Sequence, residues 1–236
     1  MSQDMLESDE LLTILIWSAI TIAFYVFSKV LYRRWSYWWL SPLVVAPVVV
    51  IAIILSVGAD YREYLQGTRW LLVLLGPTMV AFAVPVFERR ELIRRHWAAL
   101  SLGVALGSVT ALATAWGLAV LLGLSDVLRT SMLPRSMSMP FAMEVSSDIG
   151  GFPEITAIFV VLTGVLGAAL GQIMLHWLPL RSALARGALL GIGAHAAGVV
   201  KAHEIGSEEG SVAGLVMILV GMINVIGGGV FALGLL

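Results

Sequence analysis

The sequence predicts an all-α polytopic membrane protein with about six full transmembrane helices and two broken or re-entrant segments. Of its 236 residues, 59% are hydrophobic and only 12% are charged, and the mean hydropathy is +0.96. A soluble domain carries about 25% charged residues. Lipid solvates so apolar a surface, whereas water does not. The apolar residues are also grouped into long runs, as a chain that crosses a bilayer several times requires.

Composition and spacing exclude several classes of function. The net charge of −1 gives no reason to expect a nucleic-acid partner. Cysteine is absent, which rules out disulfides, thiolate catalysis and cysteine metal sites. The four histidines lack metal-ligand spacing, and neither a nucleotide-binding glycine motif nor a nucleophile–base constellation is visible. We therefore expect a protein that is not an enzyme and holds no metal or cofactor.

The spans follow from length, because a transmembrane helix needs about 20 mainly apolar residues. The N-terminal residues 1–10 are acidic, unlike the start of a cleaved signal peptide. Six runs are predicted to cross the membrane: residues 11–31, 42–57, 70–87, 97–122, 155–175 and 212–236. Two other apolar runs are interrupted. Residues 127–145 contain Pro134 and Pro140, and residues 185–202 contain several glycines and His195.

Basic residues in the short loops predict the orientation of the chain, because short loops on the cytoplasmic side are enriched in lysine and arginine. Three loops carry them: Lys29, Arg33 and Arg34; Arg89, Arg90, Arg94 and Arg95; Arg181 and Arg186. If all three are cytoplasmic, the N-terminus lies outside. Residues 127–145 must then begin and end outside, as a re-entrant hairpin. The alternative, a full crossing, would place Arg181 and Arg186 outside.

One pattern occurs twice in the second half of the chain. An interrupted segment, an acidic-Ile-Gly linker and a full span follow one another, with the linkers at residues 147–150 and 203–206. Paired broken segments in two halves indicate a transporter binding site. If one segment enters from each side, the units form an inverted repeat. We therefore divide a single domain of residues 1–236 into scaffold-like helices (11–123) and a transport core (125–236).

The first interrupted segment contains candidate binding residues between two prolines. Pro134 and Pro140 each remove a backbone donor and disfavour helix before them. Arg135, Ser136 and Ser138 lie between them, in a stretch otherwise apolar. An arginine there would hold a carboxylate through two parallel charged hydrogen bonds. The alternative is an interfacial loop whose arginine reaches lipid headgroups.

The second interrupted segment places ionisable groups in an apolar run. Gly193 and Gly198 permit close packing or local unwinding around His195. Ionisable residues at membrane depth indicate a functional site, so His195 and Lys201 are candidates for holding substrate. His195 could instead bond a backbone carbonyl structurally. Lys201 lies nearer the end of the segment, which favours an interfacial position.

Other polar residues have simpler interpretations. Glu144, Asp148 and Glu204 cluster at the ends of the interrupted segments, where they would pair with cations or mark the aqueous boundary. We assign the boundary role to Glu208 and Glu209. Asn224 and Gln172 are isolated on long spans, and such residues usually form hydrogen bonds between helices.

Three blocks of sequence resemble the LrgB/CidB family in order and spacing. Residues 75–87, LGPTMVAFAVPVF, resemble the family's LxPAxVALAxPLY. Residues 133–143 and 149–153, LPRSMSMPFAM and IGGFP, resemble LPKSVTTPIAM and IGGIP. The third block has three parts. Residues 185–187, ARG, match the family's ARG, and residues 193–202, GAHAAGVVKA, resemble its ASHAxGTARA. Residues 209–210, EG, resemble the start of its EGA. Arg135 replaces the usual lysine, Lys201 replaces arginine, and several hydroxyls are lost.

The resemblance implies two functions. One is transport of small monocarboxylates, of the pyruvate or glycolate type; the other is holin- or antiholin-like control of murein hydrolase activity and cell lysis. It also implies a small LrgA/CidA-type membrane partner. Cations and hydroxyls within broken segments favour transport, because a pore formed by lateral assembly needs neither. We therefore expect an elevator-like carrier of a small organic anion, located in the inner (cytoplasmic) membrane and assembled as a homo-oligomer such as a dimer.

Overall fold

A computed structural model describes residues 3–35 and 37–232, which are helical throughout apart from short connections. The all-α prediction is therefore confirmed, and the described residues contain no strand. The helices are α1 (Gln3–Arg34), α2 (Pro42–Val57), α3 (Tyr61–Val73), α4 (Leu75–Ala81), α5 (Ala83–Glu88), α6 (Arg90–Leu121), α7 (Asp126–Met132), α8 (Met139–Asp148), α9 (Pro153–Trp177), α10 (Ala183–Ile205) and α11 (Ser207–Ala232). Two 3₁₀ turns occupy Trp38–Leu40 and Leu133–Ser136.

Six helical stretches among the described residues are long and apolar enough to cross a membrane. They are Glu10–Arg34, Tyr61–Glu88, Arg90–Leu121, Pro153–Trp177, Ala183–Ile205 and Ser207–Gly229. The count agrees with the prediction, but the membership differs. The predicted span 42–57 forms a shorter apolar helix of 16 residues, α2. Conversely, α10 qualifies by length although its path is interrupted at His195.

The chain forms two compact units, Met1–Pro77 and Thr78–Leu236. In the first unit, α1 packs against α2 and α3. The hydroxyl of Ser18 donates to the Gly67 carbonyl at 2.9 Å and accepts from the Trp70 indole at 2.7 Å. The ring of Trp17 meets Tyr64 edge to face. These polar contacts tie α1 to α3 within an otherwise apolar unit.

The second unit is built around α6, α9 and α11. Leu100 and Val104 of α6 pack against Val212, Val216 and Val220 of α11 in one buried cluster. These residues recur every four positions, which places each set on a single helix face. The sequence grouped α6 with the scaffold helices, whereas it contributes to the core of this second unit. The two interrupted segments pack against the same three helices.

The first interrupted segment doubles back on itself. Hairpin 1 consists of α7, the Leu133–Ser136 turn and α8. Thr156, near the start of α9, donates to the Ser131 carbonyl of α7 at 2.8 Å, and its hydroxyl lies 2.6 Å from that of Ser146 on α8. The amide of Phe152 donates to the Ser131 hydroxyl at 2.8 Å. Both arms of hairpin 1 therefore meet the same end of α9.

The second interrupted segment also reverses. Hairpin 2 is α10, whose path turns at His195. A β carbon on Gly198 would collide with the carbonyl oxygen of Leu190. In a straight helix these residues would lie about 12 Å apart, so the segment after His195 must fold back along the segment before it. Gly187 and Gly191 of the first arm also lie against Glu209 and Ala213 of α11, which places α11 beside that arm.

The two hairpins enter the unit from opposite ends. Hairpin 1 opens at the start of α9, where Thr156 holds both its arms. Hairpin 2 opens at the far end of α9, because Leu190 packs near Gly171 whereas His195 packs near Gly164. The interruptions predicted from the sequence are thus reversals of direction, and the re-entrant interpretation of residues 127–145 fits this path.

Candidate functional site

The tips of the two hairpins meet inside the second unit. The Leu133–Ser136 turn contacts α10 directly. Arg135 donates a hydrogen bond to Thr163 of α9, and the His195 ring lies against Gly164, the next residue of that helix, so the two side chains lie at one level of α9. The sequence singled out these two residues from separate motifs 60 positions apart, and the structure brings them together.

Arg135 is held at the tip by two threonines. Its Nη1 donates to the Thr163 hydroxyl of α9 at 3.3 Å, and its Nη2 donates to the Thr114 hydroxyl of α6 at 3.3 Å. Its Nε is buried and has no hydrogen-bond partner in the described part of the chain. Nor does any carboxylate there form a salt bridge with it. A partly buried cation with neutral neighbours is a suitable site for an external anion.

His195 forms the tip of hairpin 2. Its backbone has φ 36° and ψ −122°, and it is the non-glycine residue with positive φ in the described ranges. Its side chain is 3% exposed and packs against Gly164 of α9. Within residues 3–35 and 37–232, Nε2 has no hydrogen-bond partner. A buried polar atom normally has a partner, so this nitrogen is available to a ligand.

Two serines accompany Arg135. Ser138 is 4% exposed, and its hydroxyl has no partner among the residues described. It directly precedes α8, whose first turn includes Pro140 at a position where the missing N–H removes no helix bond. Ser136 lines a small pocket that also includes Ile192 of hairpin 2 and Asn224 of α11. The sequence-predicted group around Pro134 is therefore assembled at one place.

Helix direction adds to the charge of this region. The helix α8 begins at the tip of hairpin 1, and the second arm of hairpin 2 begins just after His195. Helix N-termini carry partial positive charge and free N–H groups. Together with Arg135, they make a site suited to a small anion. The described residues contain no group of acidic residues and histidines that could hold a metal ion.

The remaining predicted residues of the second motif are structural or peripheral here. Gly198 allows the two arms of hairpin 2 to touch, as shown by its contact with Leu190, whereas Gly193 lies against Gly167 of α9 through its carbonyl. Lys201 is not at the tip: its ammonium lies 2.6 Å from Glu204, and it is about 9 Å along the helix from His195. The structure therefore brings together Arg135, Ser136, Ser138 and His195, without Lys201.

Two polar residues of α11, Asn224 and Glu209, can be compared with the roles predicted for them, a hydrogen bond between helices and a position at the aqueous boundary. Asn224 donates to the Ser108 hydroxyl of α6 at 2.8 Å, so the expected bond between helices is present. Glu209 departs from the prediction of a boundary role. It is 7% exposed and forms an ion pair with Arg186 at 2.5 Å, which joins α11 to the base of hairpin 2. Glu208 is exposed, as expected.

Sequence reasoning missed Thr114, Thr163 and Gly164. A single threonine or glycine in an apolar span gives little signal, since both occur throughout such helices. Gly164 and Gly167 are three positions apart on α9, and both lie against hairpin 2. That small-residue spacing was the one available hint of a close contact.

Comparison with known proteins agrees with this architecture. Among curated relatives, the uncharacterized protein YwbG of Bacillus subtilis is 36% identical over 85% of this chain and 89% of its own length. The uncharacterized protein YxaC of the same organism is 31% identical over 85% of the chain and 87% of its own. The holin-like protein CidB of Staphylococcus epidermidis is 29% identical, covering 87% of the chain and 90% of its own.

No solved structure matched the chain. The family model of the LrgB-like family matches residues 21–233. This range includes both hairpins, the site at their tips and every helix of the second unit. This multi-pass membrane protein, related to holin-like proteins, belongs to the LrgB-like family.

Proposed function

We propose that this protein transports small monocarboxylate anions, of the pyruvate or glycolate type, by alternating access. One observation carries the proposal: the tips of two oppositely directed hairpins meet at Arg135 and His195, with polar atoms that lack partners in the described chain. The guanidinium would hold the carboxylate, and the His195 Nε2 would contact a second oxygen of the substrate. A partly buried cation with neutral neighbours and further unpaired polar atoms suits a small carboxylate, such as a two- or three-carbon acid.

The order of elements supports an alternating mechanism. Hairpin 1 is followed by α9, and hairpin 2 is followed by α11, with the second pair entering from the opposite end. We interpret the pairs as an inverted repeat, the symmetry that secondary transporters use to expose one site to either side. The hairpins and their following helices would then move as an elevator-like core against the remaining helices.

The distribution of arginines supports an orientation in the inner membrane. Arg89, at the start of α6, donates to the Ser211 hydroxyl near the start of α11 at 2.8 Å. Arg186 and Glu209 join the base of hairpin 2 to the same region. Basic residues of two separate loops therefore lie at one end of the second unit. We assign this end to the cytoplasm, so that hairpin 1 would open outside; the basic loops of the sequence predict the N-terminus on the outside as well.

A second function is suggested by one relative, the holin-like protein CidB of Staphylococcus epidermidis. In that case the chain would modulate murein hydrolase activity and lysis through lateral assembly. A small LrgA/CidA-type membrane partner and a homodimer belong to either proposal. The unpaired buried groups at the hairpin tips favour transport, because lateral assembly does not need them.

The test is uptake of labelled pyruvate, glycolate and lactate into proteoliposomes that contain only the purified protein. His195→Ala and Arg135→Ala are measured beside wild type, and His176→Ala serves as the control because His176 is exposed near the end of α9. Saturable uptake that both site variants lose and the control keeps would support the carrier. Absence of uptake, together with leakage of an entrapped dye, would contradict it and favour the holin-like function.

A further inference from the structure

A second, larger cavity adjoins the anion site and lies between α6, hairpin 1 and α11. Its volume is about 480 Å³, within the range of roughly 300–1,000 Å³ typical of small-molecule sites. Its walls are almost wholly apolar and include Leu112, Trp116, Leu133, Met137 and Val145. The polar exception is Asn224, whose amide already donates to Ser108 and to the Val220 carbonyl. The cavity therefore offers few hydrogen bonds to a polar occupant.

The cavity extends inward from the mouth of hairpin 1. Trp116 lies five residues before the end of α6 at Leu121, and Leu112 lies nine residues before it. At about 1.5 Å per residue, these positions are about 8 Å and about 14 Å below the end of the helix. Pro134 and Met137 line the same cavity on either side of the Arg135–Ser136 tip. An elongated occupant would thus reach from the membrane boundary to the back of the tip.

A cation lies at the outer end of this cavity. The guanidinium carbon of Arg129 is 5.1 Å from the centre of the Trp116 ring. Its other contacts are weak: Nη1 is 3.4 Å from the exposed Asp126 carboxylate, and Nη2 donates to the Leu124 carbonyl at 3.4 Å. Its Nε is buried without a hydrogen-bond partner in the described residues. Arg129 therefore retains donors for an anionic group beside the apolar cavity.

We propose that this cavity binds one acyl chain of an anionic phospholipid, with the lipid phosphate at Arg129. The apolar walls and length suit a hydrocarbon chain, and the bilayer supplies such chains at this depth. The basic residue beside the aromatic ring supplies charge complementarity at the headgroup level. A small carboxylate does not fit the site, since it would leave the apolar walls empty. The proposal does not depend on transport, because it rests on the cavity and Arg129 alone.

The test measures quenching of Trp116 fluorescence by phospholipids with brominated acyl chains, with the intact protein in liposomes. The Trp116 contribution is the difference between wild type and Trp116→Phe. Brominated phosphatidylglycerol should quench it with about fivefold higher apparent affinity than brominated phosphatidylcholine, the effect expected of one basic residue. Arg129→Gln should equalise the two lipids. Arg94→Gln, which removes an exposed arginine that forms an ion pair with Glu91, should keep the preference.

Two glycines of α11 provide a test position and a matched control position for the acyl-chain assignment. A β carbon at Gly227 or at Gly229 would meet nothing within 4 Å, but only Gly227 lines the cavity. Gly227→Leu should therefore fill the cavity and reduce quenching by both lipids, whereas Gly229→Leu should not. Equal quenching by the two lipids in wild type would overturn the headgroup assignment. Unchanged quenching in Gly227→Leu would mean that the quenching acyl chains do not enter the cavity, and would overturn the proposal.

Discussion

The imidazole of His195 packs directly against Gly164 of α9, in space that any larger residue would fill. A β carbon at position 164 would lie 3.1 Å from Cε1 and 3.3 Å from Nδ1 of the ring. Both distances are shorter than the about 3.5–4.0 Å of an optimal carbon contact. The position of the histidine at the hairpin tip therefore depends on the absence of a side chain one helix away.

Gly164→Leu should displace His195 and lower carboxylate uptake by roughly a factor of ten to a hundred, as a shift of about 1 Å in a binding group does. Uptake into proteoliposomes measures the effect. Gly117→Leu on α6 is the control, because a β carbon there would meet nothing within 4 Å. Equal losses in both variants would indicate a general effect on packing instead.

Arg135→Lys should keep the charge at the tip but lose the paired geometry that a guanidinium offers. We expect KM for the carboxylate to rise about tenfold, equivalent to roughly 1.4 kcal/mol, with little change in the maximal rate. Thr163→Val should weaken uptake less, because Thr114 still holds the guanidinium. An unchanged KM in the lysine variant would mean that binding does not use the paired hydrogen bonds of the guanidinium.

Single cysteines should report the path of both hairpins, and the chain has no native cysteine to interfere. Asp126→Cys and Asp148→Cys, at the ends of hairpin 1, should react with an impermeant maleimide from outside the cell. Ser182→Cys and Ser207→Cys, at the ends of hairpin 2, should react only after the membrane is opened. Labelling of positions 126 and 148 from opposite sides would mean that residues 127–145 cross the membrane.

Glu209→Gln should destabilise the base of hairpin 2. The change leaves Arg186 without its charged partner, and a hydrogen bond to a charged group contributes about 1.5–3 kcal/mol when buried. Partial exposure of Arg186, at 34% of its side chain, places the expected loss at the lower end of that range. Thermal unfolding in detergent measures it. Glu208→Gln should have little effect because Glu208 is exposed, and a similar shift in both variants would argue against the ion pair.

Local signals predicted the interruptions well. Pro134 and Pro140 mark a break that the structure places at residues 133–138, and the glycine-rich run around His195 marks the second. Proline acts on its own backbone and on the preceding residue, so its effect can be read from sequence alone. The same reasoning selected Arg135, Ser138 and His195, which the structure places at or beside the tips.

Contacts between distant helices were not predictable in the same way. Thr114 and Thr163 hold Arg135, yet each is one hydroxyl on a long apolar helix. Glu209 follows the end of the second interrupted segment, where the sequence predicts an aqueous boundary, but its pairing with Arg186 is decided by how α11 packs against hairpin 2. Lys201, chosen as a cation in an apolar run, instead pairs with Glu204 one turn away. Packing between helices determined the outcomes for Arg135 and Glu209, whereas the Lys201–Glu204 pair lies within one helix at a spacing of three residues.

The backbone of His195 has φ 36°, a region that glycine occupies readily and other residues occupy at a cost of about 1–3 kcal/mol. A glycine at this position would relieve that backbone cost and lose the imidazole. Selection for yield or heat resistance and selection for activity should consequently favour different residues at this one codon. Deep mutational scanning under the two selections would enrich different substitutions at residue 195. At most other core positions, the two selections should enrich the same substitutions.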